Sequence, residues 1–372
     1  HKSWFTENVE GIKVHWLPLK YSNNILFYER LRIFIIFAIK AFFRCFKIKA
    51  DLIYATSTPL TIAIPAIGLS KIKKIPYIFE VRDLWPDIPI ALGFIKNPFI
   101  KFLSKQIEKY AYKWAAAIVA LSTDMKDEII KKGFIKSTKI ATIPNMSNIS
   151  NFKVKEERLK KFLIDRPYLN GNPILIYTGA IGLVNNISYL VNLCYELKKI
   201  KSKIKTLVIG DGSEFYKIKR YANELGVLNN NFFLESRMSK IDIITAINAA
   251  TMGISTTKCV PELFKNSANK FFDYLACGKP AIINHGGWLE NVVNKYKCGF
   301  VTYGMNLETA SNILNKKAND KDWLENASNS SYKLASSYFS SENLKKNFID
   351  IIHSVKDKKY SNIESIAPGK FI

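Results

Sequence analysis

The stretch Asn266-Ser267-Ala268-Asn269-Lys270-Phe271-Phe272-Asp273-Tyr274-Leu275-Ala276-Cys277-Gly278-Lys279-Pro280 carries the densest chemistry in the chain. It reads as a polar loop, a short helix beginning near Ser267, a Gly-Lys-Pro turn and then a buried strand, Ala281-Ile282-Ile283. A helix start offers unbonded N–H groups and the positive end of the aligned peptide dipoles, which suits a diphosphate. Asp273, further along the same helix, can accept hydrogen bonds from ribose hydroxyls. Ser267, Asn269, Lys270 and Asp273 are therefore expected to grip one nucleotide at two points.

Three other loops follow apolar strands in the same half. Tyr177-Thr178-Gly179-Ala180-Ile181-Gly182 and Ile209-Gly210-Asp211-Gly212-Ser213-Glu214 each carry two glycines, so the backbone can approach a phosphate closely. Each is also a serviceable turn, with Ser213 as a helix cap, and neither has dinucleotide-fingerprint spacing. In Glu235-Ser236-Arg237-Met238-Ser239-Lys240, a nucleobase can lie on the loop while Arg237 or Lys240 offsets diphosphate charge. The competing reading is a solvated loop with Ser239 as N-cap.

In the first half, Phe79-Glu80-Val81-Arg82-Asp83-Leu84-Trp85-Pro86-Asp87 sets acids and an arginine at a strand end. Such groups are costly to bury unpaired, so Glu80, Arg82 and Asp83 must face one another, a ligand or water. Ala55-Thr56-Ser57-Thr58-Pro59 is accounted for by capping, with Thr58 as N-cap and Pro59 as first helical residue.

The elements that must position these loops alternate strand and helix. Strands are expected at 12–17, 52–55, 77–80, 117–121 and 140–143, then at 174–178, 206–209, 231–234, 252–254, 281–283 and 300–302. Short apolar strands separated by helical patterns indicate parallel sheets covered on both faces. A chain of 372 residues exceeds one average domain. The reading is two doubly wound α/β domains, at 1–146 and 173–338. The polar segment 147–172 connects them, with a helix near Glu156–Leu163. A helical tail follows from 339, frayed beyond Lys356.

The formal charge of +24 is spread over both halves. It favours an anionic partner such as a nucleotide sugar, an anionic membrane surface or nucleic acid, or it reflects Lys on solvated faces. No nucleic-acid recognition motif is present, so nucleic acid is not an expected partner. Five scattered cysteines without metal spacing fit a reduced, cytoplasmic protein, and four scattered histidines make no zinc site. The apolar window Leu31–Phe43 is too short to span a bilayer. Tyr28–Phe46, with Arg30, Arg32, Lys40 and Arg44 among its apolar residues, reads as a helix that can lie in a membrane interface.

With these residues in hand, the chain resembles the family 4 glycosyltransferases of the GT-B fold. Within them it is similar to bacterial transferases of cell-surface polysaccharide (O-antigen and capsule) pathways, including N-acetylfucosamine transferases. The resemblance rests on Phe79–Pro86 and Asn269–Pro280, with Gly287-Trp288 and Ile143-Pro144-Asn145. It implies two Rossmann-like domains facing across a cleft, the nucleotide sugar on the second and the acceptor on the first. A final helix, Asn343–Val355, would return to the first domain. The donor would be a UDP-sugar, an N-acetylated amino sugar, with no metal or other cofactor. The acceptor would be a saccharide on polyprenyl diphosphate at the inner face of the cytoplasmic membrane. Transfer would retain anomeric configuration, with Arg82, Asp83 and Glu80 at the reacting centre and Gly179, Gly182, Gly210 and Gly212 near the diphosphate.

Two departures are visible. Of the family's paired glutamates, the second corresponds to Asp273 and the first to Lys265; many relatives have His where Arg82 stands. The glycine-rich loop after the family's first strand is lacking, and the chain starts at His1, which implies that an N-terminal strand, loop and helix lie outside it. A UDP-N-acetylglucosamine 2-epimerase-like enzyme and a non-catalytic membrane-associated scaffold of polysaccharide assembly are the alternative readings.

Overall fold

The computed structural model describes residues 3–20, 25 and 27–369. The first domain holds a four-stranded parallel sheet, β3 (Ile53–Thr56), β4 (Tyr77–Val81), β5 (Ala117–Ala120) and β6 (Ile140–Thr142), in that spatial order. Its strands are near-continuous apolar runs because both faces are covered. The second domain holds β7 (Ile174–Thr178), β8 (Lys205–Ile209), β9 (Phe232–Glu235), β10 (Met252–Ser255), β11 (Ala281–Ile283) and β12 (Gly299–Val301). All six are parallel in the order β12-β11-β10-β7-β8-β9. The winding direction reverses between β7 and β10, and ligands in such sheets bind beyond the strand ends at that point.

Three local expectations are corrected. The strand expected at 12–17 forms as β2 (Ile12–Trp16), but it pairs antiparallel with β1 (Phe5–Val9) in a separate hairpin. Glu10 and Gly11 both take positive φ (50° and 86°), the turn that matches strand twist in a tight hairpin. Ser213 does not cap the next helix, which runs Phe215–Glu224 without a side-chain cap. The tail beyond Lys356 is packed: Ile363 and Ala367 are buried, and the Ala367 carbonyl accepts from Thr142 N at 2.8 Å. Residues 370–372 of that tail lie outside the described residues.

The helix Ser341–Lys356 leaves the second domain and lays Leu344, Ile351 and Val355 against Ile78, Ala117, Val119 and Ala141 of the first sheet. On the other face, helix Phe27–Phe46 packs on Ala63–Lys73, which packs on Pro98–Lys113. Asn97 starts the last of these by accepting from the N–H groups of Phe99 and Ile100.

Ile351 is fully buried in the seam between the returning helix and the first sheet. Ile351→Ala is expected to cost about 2–5 kcal/mol of stability by urea unfolding. A loss near zero would show that the helix does not hold the two domains together.

Candidate active site

The site is built on the loop Lys265–Ala268, which joins the domains by its backbone. Three successive carbonyls accept from three side chains. Ser122 Oγ donates to Lys265 at 2.5 Å, Trp288 Nε1 to Asn266 at 3.0 Å, and Asn145 Nδ2 to Ser267 at 2.5 Å. Ser122 and Asn145 belong to the first domain, and Ser122 Oγ also caps its own helix by accepting from Met125 N. Asn266 Nδ2 donates across to Asp83 Oδ1 at 2.9 Å, and Lys265 pairs with Glu128 at 2.7 Å. Trp288, fully buried, donates its backbone N–H to Asp124 at 2.9 Å. Gly287 makes this approach possible: at φ 89°, an added Cβ would lie 2.6 Å from the Phe264 carbonyl.

The helix after this loop starts at Asn269, not Ser267, and has no side-chain cap. Its first N–H groups have no carbonyl within the helix to bond. Ser267 Oγ accepts weakly from Asn145 N at 3.4 Å, so Ser267 joins the domains as well as lining the cavity.

Two adjoining cavities meet at this helix start. One, of about 580 Å³, is lined by Gly179, Gly210, Arg237, Asn269, Lys270 and Asp273, among others. The other, of about 500 Å³, is lined by Arg82 and Asp83 of the first domain and by Ser267, Asn269, Lys270 and His285 of the second. Asn269, Lys270, Ala180 and Asn185 line both.

Lys270 sits at the junction. Its ammonium lies 5.0 Å from the centre of the Tyr177 ring, and burial pulls its pKa down to about 8 against the pull of Asp273. Burial pushes Asp273 up to about 6, offset by Lys240 and Lys270. The two groups are poised to ionise fully when complementary charge and hydrogen bonds arrive.

The glycine loops pack on each other. Gly179 N donates to the Ile209 carbonyl at 3.0 Å and Ile181 N to the Asp211 carbonyl at 2.8 Å. A Cβ on Gly210 would meet the Gly179 carbonyl oxygen at 1.8 Å. Gly212 is likewise pressed on Ile181, and neither Gly212 nor Gly182 lines either of these two cavities, whereas Gly179 and Gly210 line the first. Lys240 also lies outside the lining and acts on Asp273 through its charge.

In the first domain, Arg82 N donates to Ser57 Oγ at 2.9 Å, and its guanidinium lies 3.7 Å from Glu80. Glu80 lines neither cavity; it supports Arg82 rather than reaching the centre of the cleft. Asp83 accepts from Thr58 Oγ1 at 3.3 Å and from Asn266, while burial raises its pKa. Thr58 thus positions Asp83 instead of capping a helix.

His285 was not marked by the sequence. It is buried, stacked on Phe264, and its Nδ1 donates to the Gly286 carbonyl at 2.9 Å. Burial lowers its pKa, so the ring is neutral and Nε2 is the acceptor nitrogen. Asn185, Thr256 and Thr257 also line the cavity; only their position beyond strand ends marks them in advance.

The family model described as Glycosyl transferases group 1 matches residues 161–334, and the one described as Glycosyl transferase 4-like domain matches residues 2–146. The chain is similar to the alpha-monoglucosyldiacylglycerol synthase of Streptococcus pneumoniae, 22% identical over 278 residues covering 72% of this chain and 60% of that protein. It is 23% identical to the alpha-D-kanosaminyltransferase of Streptomyces kanamyceticus over 110 residues, 30% of this chain and 28% of that one. The chain thus spans less than two thirds of the length of these curated relatives. Anabaena HepE, solved with UDP-glucose, superposes with a TM-score of 0.70 at 17% identity, covering 85% of this chain and 82% of that one. Sucrose-phosphate synthase from Thermosynechococcus elongatus gives 0.72 at 15% identity, covering 91% and 81%. These structures share the fold, and the two family matches together take in most of the sequence: the chain belongs to the glycosyltransferases of the GT-B fold.

Proposed function

We propose that the protein transfers a sugar from a UDP-linked donor, an N-acetylated amino sugar, to a lipid-linked saccharide at a membrane surface, in cell-surface polysaccharide synthesis. The observation that carries this reading is Lys270: a half-buried cation without a hydrogen-bonded partner among the described residues, at the junction of two cavities and beside an uncapped helix start. A diphosphate supplies what both lack. Ribose then falls to Asp273, the base to the loop at Arg237, and the sugar to the cavity bounded by Arg82, Asp83 and His285. Likeness to a fold solved with UDP-glucose supports a UDP donor.

In this reading Lys270 and the helix start stabilise the departing UDP, where negative charge grows as the glycosidic bond breaks. Arg82 faces the same centre from the acceptor side. The acceptor hydroxyl attacks on the face the leaving phosphate vacates and passes its proton to the departing phosphate oxygen as the C–O bond to UDP breaks, so configuration is retained without a protein nucleophile or a metal.

The lipid part of the proposal rests on the outer layer of the first domain. Helix Phe27–Phe46 exposes Ile35, Ile39, Phe43 and Phe46 along one stripe, and Pro98–Lys113 exposes Phe99, Phe102 and Leu103. Phe43 is 64% and Phe99 70% exposed, with lysines on both helices. No helix among the described residues is long and apolar enough to cross a membrane. Such faces suit an anionic interface. A relative is named for a glycosylated diacylglycerol.

The direct test is a donor screen that follows UDP release with polyprenyl-diphosphate-linked saccharides. Arg82→Ala is expected to lower turnover about 10²-fold or more with an unchanged circular dichroism spectrum. Unchanged turnover removes Arg82 from the centre.

UDP affinity is expected to weaken several-fold as pH rises from 7.5 to 9, because Lys270 loses its proton near pH 8. Lys270→Arg, whose guanidinium stays charged, should flatten that limb in calorimetric titrations. Identical profiles for the two proteins would take Lys270 off the phosphates.

The Phe43→Asp/Phe99→Asp double variant should lose most binding to phosphatidylglycerol vesicles in flotation assays while keeping UDP affinity. Undiminished flotation would move the membrane face elsewhere.

A further inference from the structure

A further cavity, of about 590 Å³ and separate from the two at the cleft, lies at the far end of the first domain. Tyr77, Ala116 and Lys139 line it where β4, β5 and β6 begin, whereas Arg82, Asp83 and Leu121 line the cleft where β4 and β5 have ended. The two sites are therefore at opposite poles of one sheet.

Five lysines line this cavity and no carboxylate does. Lys71 and Lys74 come from the end of helix Ala63–Lys73, Lys113 from the end of Pro98–Lys113, Lys139 from the approach to β6 and Lys358 from the tail. Among the described residues none of the five forms an ion pair, and the nearby acid Asp357 is engaged by Lys359 at 3.5 Å. A basic residue at one helix end complements that helix's dipole. That does not account for four separate elements directing lysines to one hollow.

Aromatic rings fix two of the cations. Lys71 Nζ lies 3.1 Å from the centre of the Trp114 ring and Lys139 Nζ 5.2 Å from that of Tyr360. Five like charges gathered at one hollow repel one another, and a multiply charged anion relieves the repulsion while accepting several charge-assisted hydrogen bonds.

We propose that this cavity binds a multiply charged phosphate group, as a phospholipid head group or as a soluble polyphosphate or phosphate ester. The site uses none of the cleft residues and does not depend on the reading of the cleft as a UDP-sugar site.

The test uses the full chain saturated with UDP, so that the cleft cannot contribute, and titrates inorganic pyrophosphate by calorimetry. Saturable binding is expected, weakened at least tenfold in Lys113→Ala/Lys139→Ala and kept in Lys113→Arg/Lys139→Arg, with UDP affinity the same in all three. Vesicles distinguish the sources. Phosphatidic acid vesicles, whose phosphomonoester carries up to two charges, identify a head-group site if they displace pyrophosphate; vesicles that do not displace it identify a soluble ligand, and both results uphold the site. Absence of pyrophosphate binding, or equal binding by the alanine variant, overturns the proposal.

Discussion

Everything at the cleft depends on where three carbonyl groups point. In Lys265, Asn266 and Ser267 each C=O is taken by a donor from a different element, two of them in the opposite domain. A buried carbonyl left unbonded is costly, so these donors fix the peptide planes rather than decorate them. With the carbonyls held by protein, the chain enters the next helix with Phe271 N donating to the Ala268 carbonyl and with no backbone partner, among the described residues, for the N–H groups of Asn269 and Lys270. The proposed anion site is thus a consequence of domain contact. Neither domain alone supplies all the donors.

Lys270 shows why the chemistry is electrostatic. Its half-buried ammonium is stabilised by Asp273 and an aromatic face, and by no hydrogen bond that would compete with a ligand. The lowered pKa records a cation short of countercharge. Asp273 records the converse, a carboxylate short of donors. A ligand carrying phosphate at one end and vicinal hydroxyls at the other satisfies both, and the distance along one short helix sets how far apart those ends are. In the proposed transfer, charges preorganised in this way need not rearrange as the leaving group develops its own.

Much of this was legible in the residues. The strands of both sheets follow from apolar runs between turn signals, since a parallel sheet covered on both faces tolerates little polarity. The motif Asn269–Pro280 and the cluster at Arg82 stand out because their polar residues follow buried strands. What the sequence hides is direction. Thr58 looks like a cap and instead holds Asp83. Gly212 looks like a phosphate glycine and instead admits the Ile181 backbone. The hairpin β1–β2 reads as a sheet strand because alternation does not state its partner. The tail past Lys356 lacks a period, yet buries Ile363 and Ala367, because a few well-placed contacts suffice where neighbouring elements already form the groove. His285 carries no motif at all; its neutrality comes from burial among residues distant in sequence.

The position of Asp83 ties acceptor side to donor side. One oxygen accepts from Thr58 of its own domain and the other from Asn266 across the cleft. Asn266 is also the residue whose carbonyl Trp288 holds. A shift of the first domain therefore pulls on the side chain of the same residue whose main chain Trp288 holds in the loop before helix Asn269–Ala276. Opening the cleft would take from Asp83 one of its two donors while admitting water to a carboxylate whose charge burial disfavours in the closed arrangement. The two domains thus meet at Asp83, and the cavity proposed for the sugar is complete in that same arrangement, because Arg82 and Asp83 form one of its walls and His285 another.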